Sequence, residues 1–247
     1  MRAGQIHGAI HTHLKRAAGV VFVHWSGKPY ESTLAFDPVD VSDPDRPALL
    51  PSFALPGDFL LDGYFVSGSR IYVTERAGTS LVGSFADFSA LDQPTHSTRR
   101  EVPGQVVAAA QETVYTSTAS ASGLTLSRLD WQAETAPLTA AHEWSGRRLA
   151  KVLLDDSTQR LYVVHATSNS ATGGPSSHLD WHHLDILDAE TLAVLSSIEL
   201  DNFSSPPPTL HLSGGTLDIQ LPYFAVLHVD IRNPSEPKVL GATSLYN

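Results

Sequence analysis

The sequence contains no cysteine, which excludes disulfides, thiolate zinc sites and thiol catalysis. Methionine occurs once, at Met1, and reads as a start residue on a mature or excised domain, part of a larger polypeptide or assembly. No apolar run approaches the ~20 residues of a membrane helix, so no membrane insertion is expected. The opening Met1-Arg2-Ala3-Gly4-Gln5 leads into histidines and strand-like residues, without the uninterrupted apolar region of a signal peptide. No apolar stripe of helical period lasts three turns, so no stretch reads as a helix. There is no phosphate-binding glycine loop, no Gly-x-Ser-x-Gly elbow and no His-Glu-x-x-His. No catalytic residue is assigned. Basic residues are few: 16 against 26 acidic, for a formal net charge of -10. That balance argues against nucleic-acid partners and anionic membranes.

What is present is repetition. The phrase Val39-Asp40-Val41-Ser42-Asp43-Pro44-Asp45-Arg46-Pro47 returns as Val229-Asp230-Ile231-Arg232-Asn233-Pro234-Ser235-Glu236-Pro237. Between them lie Ala86-Asp87-Phe88, Leu129-Asp130-Trp131 and Leu184-Asp185-Ile186. The aligned aspartates are 40, 87, 130, 185 and 230, at spacings of 47, 43, 55 and 45. Periods in this range mark a repeat architecture. The residues leading into each aspartate alternate between apolar and polar, as half-buried strands do. The Asp, Asn, Ser and Pro that follow break the ladder and hydrogen-bond turn backbone. All five aspartates are therefore expected to stabilise turns at equivalent positions of equivalent hairpins.

A second landmark recurs between the phrases: Val21-Phe22-Val23-His24, Ile71-Tyr72-Val73, Val114-Tyr115-Thr116, Leu161-Tyr162-Val163-Val164 and Leu217-Asp218-Ile219. The last four each follow a polar turn and an earlier apolar stretch. Four short antiparallel strands per repeat of this length form a β-propeller blade. The expected fold is all-β, one propeller domain over 1–247. Its blades fall near 7–56, 58–102, 105–144, 149–200 and 209–247. The alternative is a five-blade portion of a larger propeller. The N-terminal region supplies the first strand of its own blade, so no strand exchange between first and last blades is expected. Phe22, Phe65, Tyr72, Val107, Leu153, Leu161, Leu210 and Ile219 are the expected core.

The repeats resemble the LVIVD-repeat family of bacterial and archaeal β-propellers. The likeness rests on Phe36-Asp37-Pro38-Val39-Asp40-Val41-Ser42-Asp43-Pro44 with Pro47, and on Val226 to Pro234 with Pro237. Repeats two to four lack the Asp-Pro or Asn-Pro turn. The resemblance implies an extracytoplasmic or surface-associated interaction domain of bacterial type, and carries no catalytic residues.

Two functional readings follow. In the preferred one, the protein is a non-catalytic binding or scaffold module for a protein or glycan partner, with no cofactor. In a four-stranded blade the second-to-third and blade-to-blade connections share one face. Here these loops vary while the opposite turns are uniform, and recognition sits on variable loops. Trp25, Lys28, Tyr30, His178, Trp181, His182 and Phe203 are the candidate binding residues, aromatics being enriched at hot spots. The alternative is a metal-dependent enzyme with a histidine-lined site at the channel mouth, holding a divalent metal such as copper or zinc. Twelve histidines occur, and His7, His11 and His13 cluster in the first strand region. His11 and His13 share a face if that segment is extended. Against this, strand histidines also pack between blades or face water.

Overall fold

Wherever apolar and polar residues alternate between turn signals, the chain runs as a strand. The computed structural model describes residues 12–17, 20–25, 33–41, 43, 45–50, 53–56, 59–90, 94–110, 112–133, 135–167, 181–200, 208–221 and 225–244. For 12–17, 20–25, 33–38, 53–56, 59–63, 181 and 182 it describes the backbone path alone. No helix occurs among the described residues.

The strands fall into five antiparallel sheets. The first holds β1 (Thr12–Ala17), β2 (Val20–Trp25), β3 (Thr33–Asp40), β4 (Ala48–Leu49) and β5 (Phe53–Pro56). The second holds β6 (Phe59–Ser67), β7 (Arg70–Ala77), β8 (Ser80–Asp87), β9 (Thr95–His96) and β10 (Arg100–Val102). The third holds β11 (Gln105–Ala110), β12 (Thr113–Ala119), β13 (Gly123–Asp130) and β14 (Leu138–Ser145). The fourth holds β15 (Arg147–Asp155), β16 (Arg160–Thr167), β17 (Trp181–Asp188) and β18 (Val194–Glu199). The fifth holds β19 (Thr209–Ser213), β20 (Thr216–Leu221), β21 (Ala225–Asp230) and β22 (Lys238–Ser244). Each is an up-and-down run in chain order, so the fold is a β-propeller of four-stranded blades.

In the first two sheets the fourth strand is split, where one strand was expected. β4 and β5 both pair with β3, and β9 and β10 both pair with β8. In the second sheet Ser97 interrupts the ladder, because its hydroxyl accepts the Phe85 N–H at 2.8 Å. β1 pairs with β2 as the first strand of its own sheet, over Thr12↔Trp25 to Ala17↔Val20.

The chain divides into two compact units, Met1–Gln111 with Glu134–Ala136, and Glu112–Ala133 with Pro137–Asn247. In the first, Ile71, Tyr72, Val73, Ala86 and Phe88 are buried with Val102, Val106 and Ala108. Val106 donates its N–H to Thr74 Oγ1 at 2.9 Å, and β11 packs against β6. In the second unit the fourth and fifth sheets stack. Tyr162, Val164, Leu184 and Ile186 meet Leu210, Leu217, Ile219 and Val229 in one apolar cluster.

In the fourth and fifth sheets the inner strands are more buried than the outermost one. Leu161 to Ala166 of β16 are all buried, whereas every residue of β22 is exposed. A second strand covered on both faces reads as a near-continuous apolar run, and the outermost strand does not. Of the expected core, Tyr72, Leu161, Leu210 and Ile219 are buried, while Phe65, Val107 and Leu153 are half-buried. On β11 the buried side chains are Val106, Ala108 and Ala109 rather than Val107. The Phe22 side chain lies outside the described residues.

Four aspartates close the same turn in the same way. Oδ1 of Asp87, Asp130, Asp188 and Asp230 accepts the N–H two residues on, from Ser89, Gln132, Glu190 and Arg232. The next residue, Phe88, Trp131, Ala189 or Ile231, donates its N–H to the preceding hairpin, at the carbonyl of Ser69, Glu112, Gln159 or Gly215. A bulge precedes Asp130, Asp188 and Asp230 alike, at Arg128/Leu129, Ile186/Leu187 and His228/Val229. The turn aspartate of the fourth sheet is therefore Asp188. The expectation for Asp185 is corrected: it lies inside β17, opposite Val163 and Ser197, and not at a turn.

Candidate functional site

Asp185 stands three residues before its turn. The corresponding residues in the neighbouring sheets are Ser84, Ser127 and Leu227, so the repeat itself does not call for a carboxylate here. Asp185 is 4% exposed, and burying an ion is costly unless it is hydrogen-bonded throughout. Three donors from three strands meet it. Ser197 Oγ of β18 donates to Oδ1 at 2.5 Å. Trp144 Nε1 of β14 donates to Oδ2 at 2.6 Å. His165 Nε2 of β16 lies 2.9 Å from the same oxygen. Burial pushes the Asp185 carboxyl up, but these donors and the His165 charge outweigh it and hold it down at about 2. An ionised carboxylate only accepts, so His165 donates through Nε2–H. Among the described residues its Nδ1 is buried without a hydrogen-bond partner.

A file of rings extends from this pair. His142 meets Trp144 edge-on at 4.3 Å between centroids. Trp144 lies 5.4 Å from His165, and His165 stacks on His183 at 5.4 Å with 15° between planes. The ladder explains the stack, since His165 and His183 are directly opposite on β16 and β17, with Glu199 next across on β18. Arg147 donates to Thr167 Oγ1 at 2.8 Å at the same end of the fourth sheet. Burial, then the charges of Arg147 and His165, hold the His183 imidazole below its ordinary value, against Asp185 and Glu199.

This network contains serine, histidine and aspartate but is not wired as a nucleophilic triad. A nucleophile needs its base at the hydroxyl. Here both the Ser197 hydroxyl and the imidazole point to the carboxylate. The arrangement fixes one aspartate and locks Trp144 against the fourth sheet.

The network occupies the loop-bearing end of β16 and β17, where residues 168–180 connect the two strands. Most sequence candidates lie outside the described residues: Lys28, Tyr30, His178, Phe203, His7 and His11. For Trp25, His13, Trp181 and His182 the backbone alone is described. Trp25 closes β2 opposite Ala35, His13 sits opposite His24, and Trp181 opens β17 opposite Ala166. Among the described residues no group of three or more His, Cys, Asp or Glu is placed to hold a metal ion. The sequence reading missed Trp144, His165 and Ser197. The available signal was a charge and an imidazole inside the otherwise apolar runs Leu184–Leu187 and Leu161–Ala166.

No family model matches the chain, and no curated protein matches it. Solved structures do. Kluyvelomyces marxianus Hsv2 aligns over 88% of this chain and 59% of its own, at 11% identity and TM-score 0.54. Saccharomyces cerevisiae Sqt1 aligns over 96% and 63%, at 10% identity and TM-score 0.51. The quinohemoprotein alcohol dehydrogenase ADHIIG from Pseudomonas putida HK5 aligns over 93% and 41%, at 13% identity and TM-score 0.50. The chain spans about three fifths of the length of the first two. At such identities the likeness is one of fold, the β-propeller, which carries both binding and enzymatic functions.

Proposed function

We propose that the protein is a non-catalytic binding module that presents variable loops on one propeller face to a protein or glycan partner. One observation carries this reading: the two ends of the sheets are built differently. At one end the turns of the second to fifth sheets are uniform, closed by the same aspartate-to-backbone and turn-to-hairpin bonds. At the other, Gly78 and Thr79 alone separate β7 from β8, whereas residues 168–180 separate β16 from β17. A scaffold with one fixed end and one end of free length places recognition at the latter. The loops there and the strand ends that flank them carry Trp25, Lys28, Tyr30, His178, Trp181, His182 and Phe203, large aromatics with polar companions suited to a hot spot. The same reading places the protein with the LVIVD-repeat propellers at an extracytoplasmic surface, as one part of a larger assembly.

The test begins with a glycan array and with cross-linking capture of protein partners. Affinity for the ligand found is then measured after shortening 168–177 and in Trp25→Ala and Phe203→Ala. Loss of affinity in variants that keep their thermal midpoint supports the site. Unchanged affinity in folded variants places recognition elsewhere.

A further inference from the structure

The Asp185 network has a second property, independent of any partner. His183 extends it into a half-buried position where a positive charge is poorly accommodated. Among the described residues, the titratable or charged groups that act on His183 include Arg147 of β15, His165 of β16, Asp185 on its own strand and Glu199 of β18. One ring further along the file stands Trp144, with His142 beyond it. The His165 imidazole is flat against His183 and is itself engaged by the Asp185 carboxylate. A proton on His183 therefore lands beside a second imidazole, opposed by the charges of Arg147 and His165 and favoured by those of Asp185 and Glu199.

We propose that the His165–His183 stack, backed by Arg147, is an acid-sensitive joint: protonating His183 loosens the packing of β14 on the fourth sheet while the fifth sheet keeps its own ladder. The mechanism is local electrostatics acting on one seam. Trp144 is the β14 side chain that enters the network, so the seam opens where its indole leaves Asp185. The fifth sheet contributes no group to the list above.

The sign follows from burial and neighbours. His183 is held below its ordinary value of 6.5, so the folded protein binds fewer protons here than the unfolded chain. Stability at this site is whole above pH about 6.5 and is lost as pH falls through the depressed value. The equilibrium for opening shifts by about tenfold for each unit of depression.

The experiment is hydrogen exchange on the full chain at pH 7.5 and 5.0, expressed as protection factors corrected for intrinsic rates. The wild type is expected to lose protection in peptides from β14 and β16 at pH 5.0 and to keep it in β20 and β21. His183→Gln, which cannot titrate, is expected to show no such loss. Should His183→Gln fold poorly, Arg147→Gln serves instead: it removes one opposing charge, so the loss shrinks and its midpoint moves up toward 6.5. Equal loss in His183→Gln and wild type overturns the proposal. So does protection that falls evenly over all five sheets, or a wild type without any loss.

Discussion

Replacing Asp185 by Ala and by Asn separates a buried hydrogen-bond acceptor from a buried charge. Asp185→Ala strips the acceptor from three donors. Ser197 is exposed and its hydroxyl returns to water. Trp144 Nε1–H and His165 Nε2–H, on side chains 9% and 2% exposed, are left inside without partners. Each orphaned buried donor costs ~1–3 kcal/mol, so the pair costs ~3 kcal/mol. For a chain of this size that lowers the thermal midpoint by about 6–12 °C. Asp185→Asn keeps one carbonyl for Trp144 and His165 and turns its amide to Ser197, whose hydroxyl rotates to accept. Only the charge assistance of the bonds is lost, ~1 kcal/mol. The two variants are also expected to part in acid. Asp185 titrates at about 2 against an ordinary 3.8, so the folded protein gives up this proton more readily than the unfolded chain. The resulting ~2 kcal/mol is present above pH about 4 and disappears as pH falls toward 2. The gap between wild type and Asp185→Asn should therefore close and reverse over pH 4 to 2, while Asp185→Ala stays less stable than Asp185→Asn throughout. Scanning calorimetry or circular dichroism melts at pH 7, 4 and 2.5 measure all three. Midpoints of Asp185→Ala and Asp185→Asn within about 2 °C of each other at pH 7 would refute the claim that this carboxylate anchors buried donors.

Gly123 has φ +149°, and a Cβ there would stand 2.1 Å from the Trp144 carbonyl oxygen. Gly123→Ala should thus cost at least ~2 kcal/mol, and a thermal midpoint equal to wild type would count against the close approach of β13 and β14. Leu217, fully buried between the fourth and fifth sheets, should lose ~2–5 kcal/mol on change to Ala. Val239, 47% exposed on the outermost strand, should shift by less than ~0.5 kcal/mol in the same urea titration. Tyr115→Phe removes a 2.8 Å bond from the phenol to the Ala189 carbonyl and leaves a buried acceptor, for ~1–2 kcal/mol. Its unfolding midpoint in urea reports the loss.

Strand order, blade number and the uniform end of the sheets were legible in residue order because their causes are local. Val229 and Ile231 alternate with Asp230 within a few residues, and the aspartate closes its own turn on the N–H two positions later. The fourth repeat misled at one point for the same local reason. Leu184-Asp185-Ile186-Leu187-Asp188 holds two aspartates, and the first has the apolar neighbours that the other repeats put around their turn residue. Only the pairing of β16, β17 and β18, with the bulge at Ile186/Leu187, assigns the turn to Asp188.

By itself, then, residue order determined period-two strands, four to a repeat and five repeats, together with the aspartate turns that end the third strands. Tertiary structure alone decided that Trp144, His165, Asp185 and Ser197 form one site. These residues come from four strands in two sheets and share no period. Within the fourth sheet, ladder register sets His165 opposite His183 and Asp185 opposite Ser197. Trp144 arrives from the third sheet by stacking. Side-chain proximity across stacked sheets depends on how sheets pack and twist, a property of the assembled layers that no spacing along the chain records.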